Sequence, residues 1–360
     1  MANHPHIPQD NGFYTSQPQL ESLFAQGCAS RFAGKTAADL AAWQRTARAT
    51  LRSLLGLDTF EEIPPKVYTL DAENCGTYTR TKYVLQTEAQ VYMPFFVLRP
   101  NGMAVGEARP VVICPNGHFN RAKESVAAVR HEAGVLEDME KFHTHHAEDF
   151  ANRGYIAVCP DARGFGERAE RNVHADGLWK CSCAKLNKMA VPLGRCALGM
   201  NVWDLLKLTD YLTTRADCDA ARIGCAGLSG GGLQSMFLAA VDERIRCACT
   251  SGYFYGYLNA MLQGDLHCEC NYVPNLWRHF DMGDIAALVA PRAFLVETGL
   301  RDALNGESGI ANVLLQVDIA RRAYTAAGYA DRLQHSVFDV DHVWVGTDTY
   351  PFFDKFLALE

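Results

Sequence analysis

The hydrophobic pattern of the chain changes at about residue 110. Before that point, three runs with β character are separated by polar or turn residues, which predicts an antiparallel meander; these runs are 67–70, 78–85 and 91–98. Beyond it, short apolar runs typical of buried strands alternate with helical patterns; the clearest are 111–114, 155–159, 245–249 and 293–296. Strands that alternate with helices form a parallel sheet covered on both faces, so the pattern predicts an α/β fold.

Three helices can be placed by the spacing of their apolar residues. One covers 142–152 and ends just before Gly154, a residue type that commonly follows a helix C-terminus. A second covers 202–212, and a third, from about Tyr350 to Leu359, closes the chain. These positions alternate with the apolar runs, as an α/β sheet requires.

The first part of the chain differs from the rest in its pattern of hydrophobic and polar residues. It begins polar and becomes helical from Ala37 to Leu55, ahead of two adjacent prolines. We therefore predict an N-terminal helical extension over residues 1–62 and one α/β domain over residues 63–360. The extension is a candidate surface for self-association into a homo-oligomer.

Two long segments interrupt the alternation of strands and helices. They cover about residues 166–199 and 252–285. Insertions that follow strand ends are where an α/β sheet forms its binding site, so we expect both segments near the functional site. The second segment is rich in aromatic residues, which either pack under a long loop or form the wall of a pocket for an aromatic or sugar-bearing substrate. Candidate pocket residues are Tyr253, Tyr255, Trp277 and Trp344.

The stretch around Ser229 joins a predicted strand to a predicted helix through Gly-Leu-Ser-Gly-Gly. In that context Gly-x-Ser-x-Gly is typical of a nucleophile elbow. So sharp a turn forces the serine toward a strained backbone conformation and brings its neighbours two places away close together. Side chains at positions 227 and 231 would collide, which explains Gly227 and Gly231. The sequence therefore predicts Ser229 as a nucleophile, held above the sheet at a helix N-terminus.

A serine hydroxyl becomes a good nucleophile when a histidine accepts its proton and an acid holds that histidine. In folds with this elbow, the chain order is serine, acid, histidine. Asp302 and His342 each lie just past a predicted strand, in the required order, and are the predicted acid and base. Glu297 and Asp341 are the alternative acids, although the first lies within a strand and the second is adjacent to the histidine. His335 is the alternative base, and it also lies within a strand.

Acyl transfer through such a serine needs two N–H donors for the developing oxyanion. One should be the residue that follows the nucleophile, Gly230. The other should come from the loop after the first parallel strand, where Gly117 allows close approach of the backbone. The backbone N–H of His118 is the candidate.

Composition excludes several partners. The net charge of −7 argues against a nucleic-acid or anionic-membrane partner, and no apolar run reaches the ~18 residues that span a bilayer. The first residues lack the basic and apolar regions of a secretion signal. Thirteen cysteines scattered through apolar strands fit a reducing compartment better than a disulfide framework. We therefore expect a cytoplasmic protein.

Several histidines and cysteines are close together in the sequence, but without the spacing of known metal motifs. Neither Cys-x-x-Cys nor His-Glu-x-x-His occurs in these groups, and pairs at i, i+2 in loops are more often incidental. We therefore predict no metal and no cofactor. The groups are 143–146, 181–183 and 267–270.

Taken together, the motifs resemble those of the α/β-hydrolase superfamily, and within it the bacterial acetyl-xylan-esterase and dienelactone-hydrolase-like group. The resemblance covers roughly residues 65–360, and its motifs are 115–118, 161–168, 227–231, 290–292, 299–302 and 341–342. It implies a twisted, mostly parallel eight-stranded sheet and a serine carboxylesterase without a cofactor. By position, Ser229 would be the nucleophile, Asp302 the acid and His342 the base.

The chain departs from this group at two points. Dienelactone hydrolases have cysteine at the nucleophile position, where this chain has Ser229, and many relatives have His-Gly where this chain has Asn116-Gly117. The expected substrate is a small acyl ester, with an acetylated sugar as the candidate class. The alternatives are a peptidase or amidase of the prolyl-oligopeptidase type, although the extension is too short for a propeller domain, and a non-catalytic binding protein of the same fold.

Overall fold

A nine-stranded sheet forms the centre of the molecule within residues 15–170, 181–264 and 266–357, which are those that the computed structural model describes. The spatial order of the strands is β1-β2-β3-β5-β4-β6-β7-β8-β9. Their bounds are β1 Lys66–Asn74, β2 Tyr78–Glu88, β3 Val91–Pro100, β4 Arg109–Ile113, β5 Ile156–Pro160, β6 Cys218–Leu228, β7 Ile245–Ser251, β8 Ala293–Gly299 and β9 Leu333–Phe338.

Neighbouring strands alternate in direction from β1 to β5 and run in one direction from β5 to β9. Strands β1, β2 and β3 form the predicted antiparallel meander, and β3 pairs antiparallel with β5. All pairs from β5 to β9 are parallel. The predicted α/β fold is therefore confirmed, but the expectation of eight strands is one too few, because all three strands of the meander join the same sheet.

The described helices lie mainly between the parallel strands. Their bounds are α1 Gln17–Ala25, α2 Ala37–Leu54, α3 Ala122–Val126, α4 Val135–Phe142, α5 His146–Asn152, α6 Cys183–Ala190, α7 Ala197–Leu212, α8 Gly230–Val241, α9 Leu276–His279, α10 Met282–Ala287, α11 Ile310–Ala327 and α12 Thr349–Leu357. Among the described residues, none of these helices is both long and apolar enough to cross a membrane.

Alternate residues of each parallel strand point to opposite faces of the sheet and join different hydrophobic cores. Val111 and Ile113 of β4 belong to the larger core, with helices α2, α7, α8, α10 and α11. Val112 of the same strand belongs to the smaller core, with α3, α5 and α12. Helix α8 is buried along its whole length, which fixes the helix N-terminus that follows Ser229.

One predicted helix is wrong in its extent. The pattern at 142–152 predicts a single helix, whereas the structure has α4 ending at Phe142 and α5 beginning at His146. His143 has a left-handed backbone conformation (φ 56°), which terminates α4. The last predicted helix is observed to Leu357, and its predicted end at Leu359 lies outside the described residues.

The N-terminal segment is packed against the α/β core. Leu40, Ala47 and Leu51 of α2 are buried in the larger core, and Gln44 donates a hydrogen bond of 2.6 Å to the carbonyl of Ala290. Residues 1–14 of the predicted extension lie outside the described residues. The division of the chain at residue 62 stays a prediction.

Candidate active site

Ser229 occupies the turn between β6 and α8 in a strained backbone conformation (φ 60°, ψ −126°). Its N–H donates a hydrogen bond of 2.8 Å to the carbonyl of Ser251 at the end of β7. A Cβ at Gly227 would lie 2.6 Å from the carbonyl carbon of Gly231, and a Cβ at Gly231 would lie 2.3 Å from the carbonyl oxygen of Pro115. Both positions therefore require glycine, the second because the loop after β4 also lies against it.

Asp302 and His342 are in direct contact. The Nδ1 atom of His342 lies 2.6 Å from Oδ2 of Asp302. Since an ionised carboxylate can only accept, Nδ1 carries the proton and Nε2 is left as a proton acceptor. The carboxylate is nearly inaccessible to solvent, and its other oxygen accepts from the N–H of Leu304 at 2.9 Å. These two hydrogen bonds fix the orientation of the carboxylate and hence of the imidazole.

Ser229 and His342 line the same cavity, here called the Ser229 cavity, with a volume of about 270 Å³. The histidine is held close to the end of β7, because a Cβ on Gly252 would lie 2.9 Å from its Cε1 atom. The described residues around the cavity are His118, Phe119, Phe142, Ser229, Gly230, Tyr253, Leu266, His267, Cys268, Asn271, Leu304 and His342.

The alternative acids lie in other environments. Glu297 is buried beneath the site, where its carboxylate accepts hydrogen bonds from four groups; these belong to Ser251, Val345, Gly346 and Thr349. Burial raises the pKa of Glu297, although these hydrogen bonds oppose the rise. The carboxylate of Asp341 is 74% exposed and faces Arg301. Among the described residues, neither of these carboxylates forms a hydrogen bond with the imidazole of His342, whereas that of Asp302 does.

The alternative base is also engaged elsewhere. Nε2 of His335 lies 3.1 Å from the hydroxyl of Thr298, on the neighbouring strand. Burial lowers the pKa of His335 to about 4. It is not among the described residues that line the Ser229 cavity.

The predicted oxyanion donors lie at the edge of the Ser229 cavity. Within the described residues, no hydrogen bond from the backbone N–H of His118 or of Gly230 to another part of the chain is present. The loop that carries His118 lies directly against the elbow, since a Cβ on Gly117 would be 2.7 Å from the carbonyl oxygen of Leu228. Both N–H groups are therefore available to a ligand at Ser229.

Two buried amide side chains hold this loop, and the sequence analysis missed both roles. The side chain of Asn116 accepts from the N–H of Ala162 and donates to the carbonyl of Gly117, both at 2.9 Å. Gln234 of α8 donates to the carbonyl of Asn116, also at 2.9 Å. Asn116 stands at one of the two positions where the chain departs from its relatives, which was the available signal.

The structure brings only part of the predicted aromatic pocket to the cavity. Tyr253 lines it, and Tyr255 lies behind, with its hydroxyl 3.2 Å from Nδ1 of His267. Trp277 is not among the described lining residues and instead packs against Phe24 of α1.

Trp344 also differs from its predicted place. Its ring is buried in the smaller core and stacks on His146 with ring centroids 4.5 Å apart. The indole N–H donates to the hydroxyl of Tyr350 at 3.1 Å. A tryptophan two residues beyond a site histidine is thus a core residue, and sequence proximity was a poor guide to orientation.

The walls of the cavity include residues that the sequence analysis did not select. Phe119 and Phe142 provide apolar surface, with ring centroids 5.3 Å apart. His267 lies in the second inserted segment, and burial lowers its pKa. Its Nε2 atom lies 3.3 Å from the carbonyl of Leu304. The insertion itself was the signal for this wall.

One wall also contains a cluster that the sequence analysis took for incidental. His118, Cys183, Cys268 and Cys270 place one nitrogen and three sulfur atoms within 4.8 Å of one another. Hydrogen bonds from Cys183 and Cys270 lower the pKa of the Cys268 thiol. Motif spacing could not reveal the cluster, because its members come from three distant segments.

The Abhydrolase family matches residues 25–259, which is more than half of the chain. The chain belongs to the Abhydrolase family. The matched region includes Ser229 and the loop between β4 and α3 that carries His118, here called the oxyanion loop after its predicted role. It begins within the predicted N-terminal extension.

One relative is similar to this chain over about half of its length. The protein YtaP of Bacillus subtilis (strain 168), which is named as a hydrolase, is 29% identical over 187 residues, or 51% of this chain and 58% of that protein. The chain thus spans less than two thirds of the length of that relative.

Solved structures share the fold. One from Bacteroides fragilis NCTC 9343, named as an acetyl xylan esterase, has a TM-score of 0.81 at 18% identity and covers 96% of this chain and 95% of its own. A glucuronoyl esterase from Solibacter usitatus has a TM-score of 0.64 at 15% identity, covering 89% and 93%. At these identities the likeness shows the α/β-hydrolase fold.

Proposed function

We propose that this protein is a serine carboxylesterase in which Ser229 is the nucleophile, His342 the general base and Asp302 the residue that orients the base. The observation that carries the proposal is that Ser229 and His342 line one cavity while Nδ1 of His342 lies 2.6 Å from Asp302. An oriented histidine beside a strained serine at a helix N-terminus is the arrangement that activates a hydroxyl for attack on an acyl carbon.

The reaction proceeds through an acyl-enzyme. Ser229 attacks the ester carbonyl as Nε2 of His342 takes its proton, and the tetrahedral oxyanion accepts from the N–H groups of Gly230 and His118. The imidazolium then protonates the leaving alcohol. A water molecule attacks the acyl-enzyme by the same steps in reverse order and releases the acid. The positive end of α8 adds to the stabilisation of the oxyanion.

The proposed substrate is a small acyl ester, with an acetylated sugar as the preferred class. A cavity of about 270 Å³ is smaller than the roughly 300–1,000 Å³ of sites for drug-sized ligands. It suits a short acyl group with part of the alcohol, and a sugar ring would extend to the rim. Two of the structural neighbours are named for esters of carbohydrates, which supports this class.

The test compares the parent protein with Ser229→Ala on p-nitrophenyl acetate and on acetylated sugars. We expect the variant to lose esterase activity and labelling by a fluorophosphonate probe together. Retention of the parent rate by the variant would exclude Ser229 as the nucleophile.

The same assay separates the alternatives. An esterase cleaves acetyl esters in preference to aminoacyl anilides of similar acyl size, whereas a peptidase shows the reverse. A parent protein that neither hydrolyses esters nor reacts with the fluorophosphonate would be a binding protein, and the proposal would then be wrong.

A further inference from the structure

Four side chains that favour soft divalent metals meet beside the oxyanion loop. Nε2 of His118 lies 3.6 Å from Sγ of Cys183 and 3.3 Å from Sγ of Cys270. The sulfur atoms of Cys183 and Cys268 are 3.5 Å apart. All four ligand atoms lie within 4.8 Å of one another. Four ligand atoms are enough for a complete tetrahedral site.

These distances fit the edges of a coordination tetrahedron. With Zn–S bonds of about 2.3 Å and Zn–N bonds of about 2.0–2.1 Å, tetrahedral angles place two sulfurs about 3.8 Å apart and a nitrogen about 3.6 Å from a sulfur. The observed separations of 3.3 Å to 3.6 Å are near these values. A small contraction or expansion of side chains would centre one ion among the four atoms.

We propose that His118, Cys183, Cys268 and Cys270 bind one zinc ion. Three thiolates with one imidazole are a ligand set of structural zinc sites, and soft sulfur ligands disfavour magnesium and calcium. On binding, each thiol releases its proton to solvent, and His118 binds as the neutral imidazole. Four protein ligands leave no open position, so the ion is structural and does not bind substrate.

A second group with metal-ligand chemistry shows the contrast. The carboxylates of Glu124, Asp161 and Glu167 also lie close together, but the ammonium of Lys123 lies among them at 2.6–2.7 Å from each. The ammonium therefore already occupies the position among the carboxylates that a metal ion would take. In the cysteine cluster, the group that faces the sulfur atoms of Cys183 and Cys270 is the imidazole of His118, which is itself a metal ligand type.

The alternative for these cysteines is a disulfide between Cys183 and Cys268. Their sulfurs are 3.5 Å apart, whereas a disulfide bond is about 2.05 Å long. A disulfide would also leave the Cys270 thiol and the His118 imidazole facing it without a shared role. The convergence of all four ligand atoms favours the metal.

The site would fasten the oxyanion loop to both inserted segments. His118 belongs to that loop, Cys183 begins α6 in the first insertion, and Cys268 and Cys270 lie in the second. Binding through Nε2 also leaves the proton on Nδ1, the ring atom that faces Gly230, since a Cβ there would lie 3.2 Å from it. This positioning role rests on the proposed function, whereas zinc binding itself does not.

Metal content gives the direct test. The protein is produced without a polyhistidine tag, purified with a reductant and no chelator, and analysed by plasma mass spectrometry. We expect about one zinc per chain, and close to none in the Cys268→Ser/Cys270→Ser variant. Cys75→Ser, which removes a thiol in the turn between β1 and β2, and Cys181→Ser, which removes an exposed thiol near the cluster, should both keep the full content.

Cobalt provides a readout that does not depend on whether a variant folds. Parent protein stripped of zinc and loaded with Co²⁺ should show the thiolate-to-cobalt charge transfer and the intense visible bands of tetrahedral coordination. Parent protein with no zinc and no such spectrum overturns the proposal, and so does a Cys183–Cys268 disulfide found by mass spectrometry of reductant-treated protein. Zinc that remains in the double variant at the parent stoichiometry would also overturn it.

Activity then separates the two proposals. If the site positions the oxyanion loop, removal of zinc should lower kcat for p-nitrophenyl acetate much more than it changes KM. A protein that contains one zinc per chain but has no esterase activity would contradict the proposed function and support the metal site. An active esterase with no metal in any preparation would contradict the metal site alone.

Discussion

The carboxylate of Asp302 accepts two hydrogen bonds, one from Nδ1–H of His342 and one from the N–H of Leu304. In Asp302→Asn, the amide can turn its NH₂ group toward Nδ1, which then loses its proton and leaves the proton on Nε2. That tautomer cannot accept from Ser229. We expect kcat for p-nitrophenyl acetate to fall by about 10³–10⁴-fold, as for the equivalent change in a serine protease triad, with little change in KM.

Asp341→Asn is the matched control for that experiment. It makes the same chemical change in the residue adjacent to His342, but on a carboxylate that is largely exposed. Its activity should stay within a few-fold of the parent. A large loss in this control, together with a mild effect of Asp302→Asn, would transfer the role of the acid to Asp341.

The buried side chain of His146 makes the stability of the fold depend on pH. The imidazole is fully buried against Trp344, and burial lowers its pKa to about 3. Because the folded-state pKa lies below the usual value near 6.5, its contribution to stability is complete above pH 6.5 and is lost as the pH falls toward 3. Between pH 7 and pH 5, protonation of this group in the unfolded state lowers the free energy of unfolding by about 2 kcal/mol.

His146→Phe keeps an aromatic ring beside Trp344 and removes the titration. The free energy of unfolding from urea titrations should therefore fall between pH 7 and pH 5 by about 2 kcal/mol less in this variant than in the parent. His131→Gln removes an exposed histidine and should follow the parent at both values. An equal loss in all three proteins would mean that His146 is not protonated on unfolding in this range.

At the scale of elements, the oxyanion loop depends on Asn116. Asn116→Ala removes two hydrogen bonds of 2.9 Å, one from the N–H of Ala162 and one to the carbonyl of Gly117. A displaced loop no longer aims the N–H of His118 at the oxyanion, and loss of one such donor costs up to about 10²–10³-fold in kcat. We expect a fall in kcat toward that range, with KM for p-nitrophenyl acetate nearly unchanged.

The control for Asn116 lies in the same loop. Asn120 is exposed, and Asn120→Ala should leave both constants unchanged. Thermal unfolding of the two variants separates loss of position from loss of stability, because an unsatisfied buried polar group costs about 1–3 kcal/mol. A KM that rises with an unchanged kcat would show that Asn116 serves substrate binding instead.

The elements that sequence could predict are those determined by neighbours along the chain. The elbow at Ser229 was predictable because its strain, its two glycines and its flanking strand and helix all lie within one short stretch of the chain, residues 218–241. The meander and the parallel strands were predictable from alternation and apolar runs for the same reason. The break between α4 and α5 was not, since His143 adopts a left-handed conformation that no residue preference demands.

Features that depend on contacts between distant segments were missed. Cys183 and Cys268 are 85 residues apart, and only the fold brings them together beside His118. Trp277 and Trp344 were assigned to the pocket because they are near predicted site segments in the sequence. In the structure, Trp277 packs against α1 and Trp344 is buried in the smaller core. Local patterns fix where the backbone turns, whereas the lining of a cavity depends on the packing of every inserted loop.

At the scale of the whole molecule, the N-terminal segment takes part in the packing that supports the site. Helix α2 contacts the elements that carry the site. Arg48 donates to the carbonyl of Ala240 in the last turn of α8 at 2.9 Å, and Gln44 donates to that of Ala290. The other end of α8 is the N-terminus beside Ser229, so α2 supports the helix on which the nucleophile depends. The family match, which begins at residue 25, also includes α2.

We therefore expect a fragment of residues 63–360 to fail to reach a cooperative fold, whereas a fragment of residues 27–360, which lacks α1, should fold and keep esterase activity. The difference arises because α1 has no buried residue, while Leu51 of α2 is completely buried. Leu51→Ala in the full chain should cost about 2–5 kcal/mol of unfolding free energy, because it opens a cavity in the larger core. Urea unfolding, with fluorophosphonate labelling of Ser229, measures both effects. A 63–360 fragment that unfolds cooperatively and labels at the parent rate would establish the extension as a separate unit and would show that α2 contributes nothing that the α/β core needs.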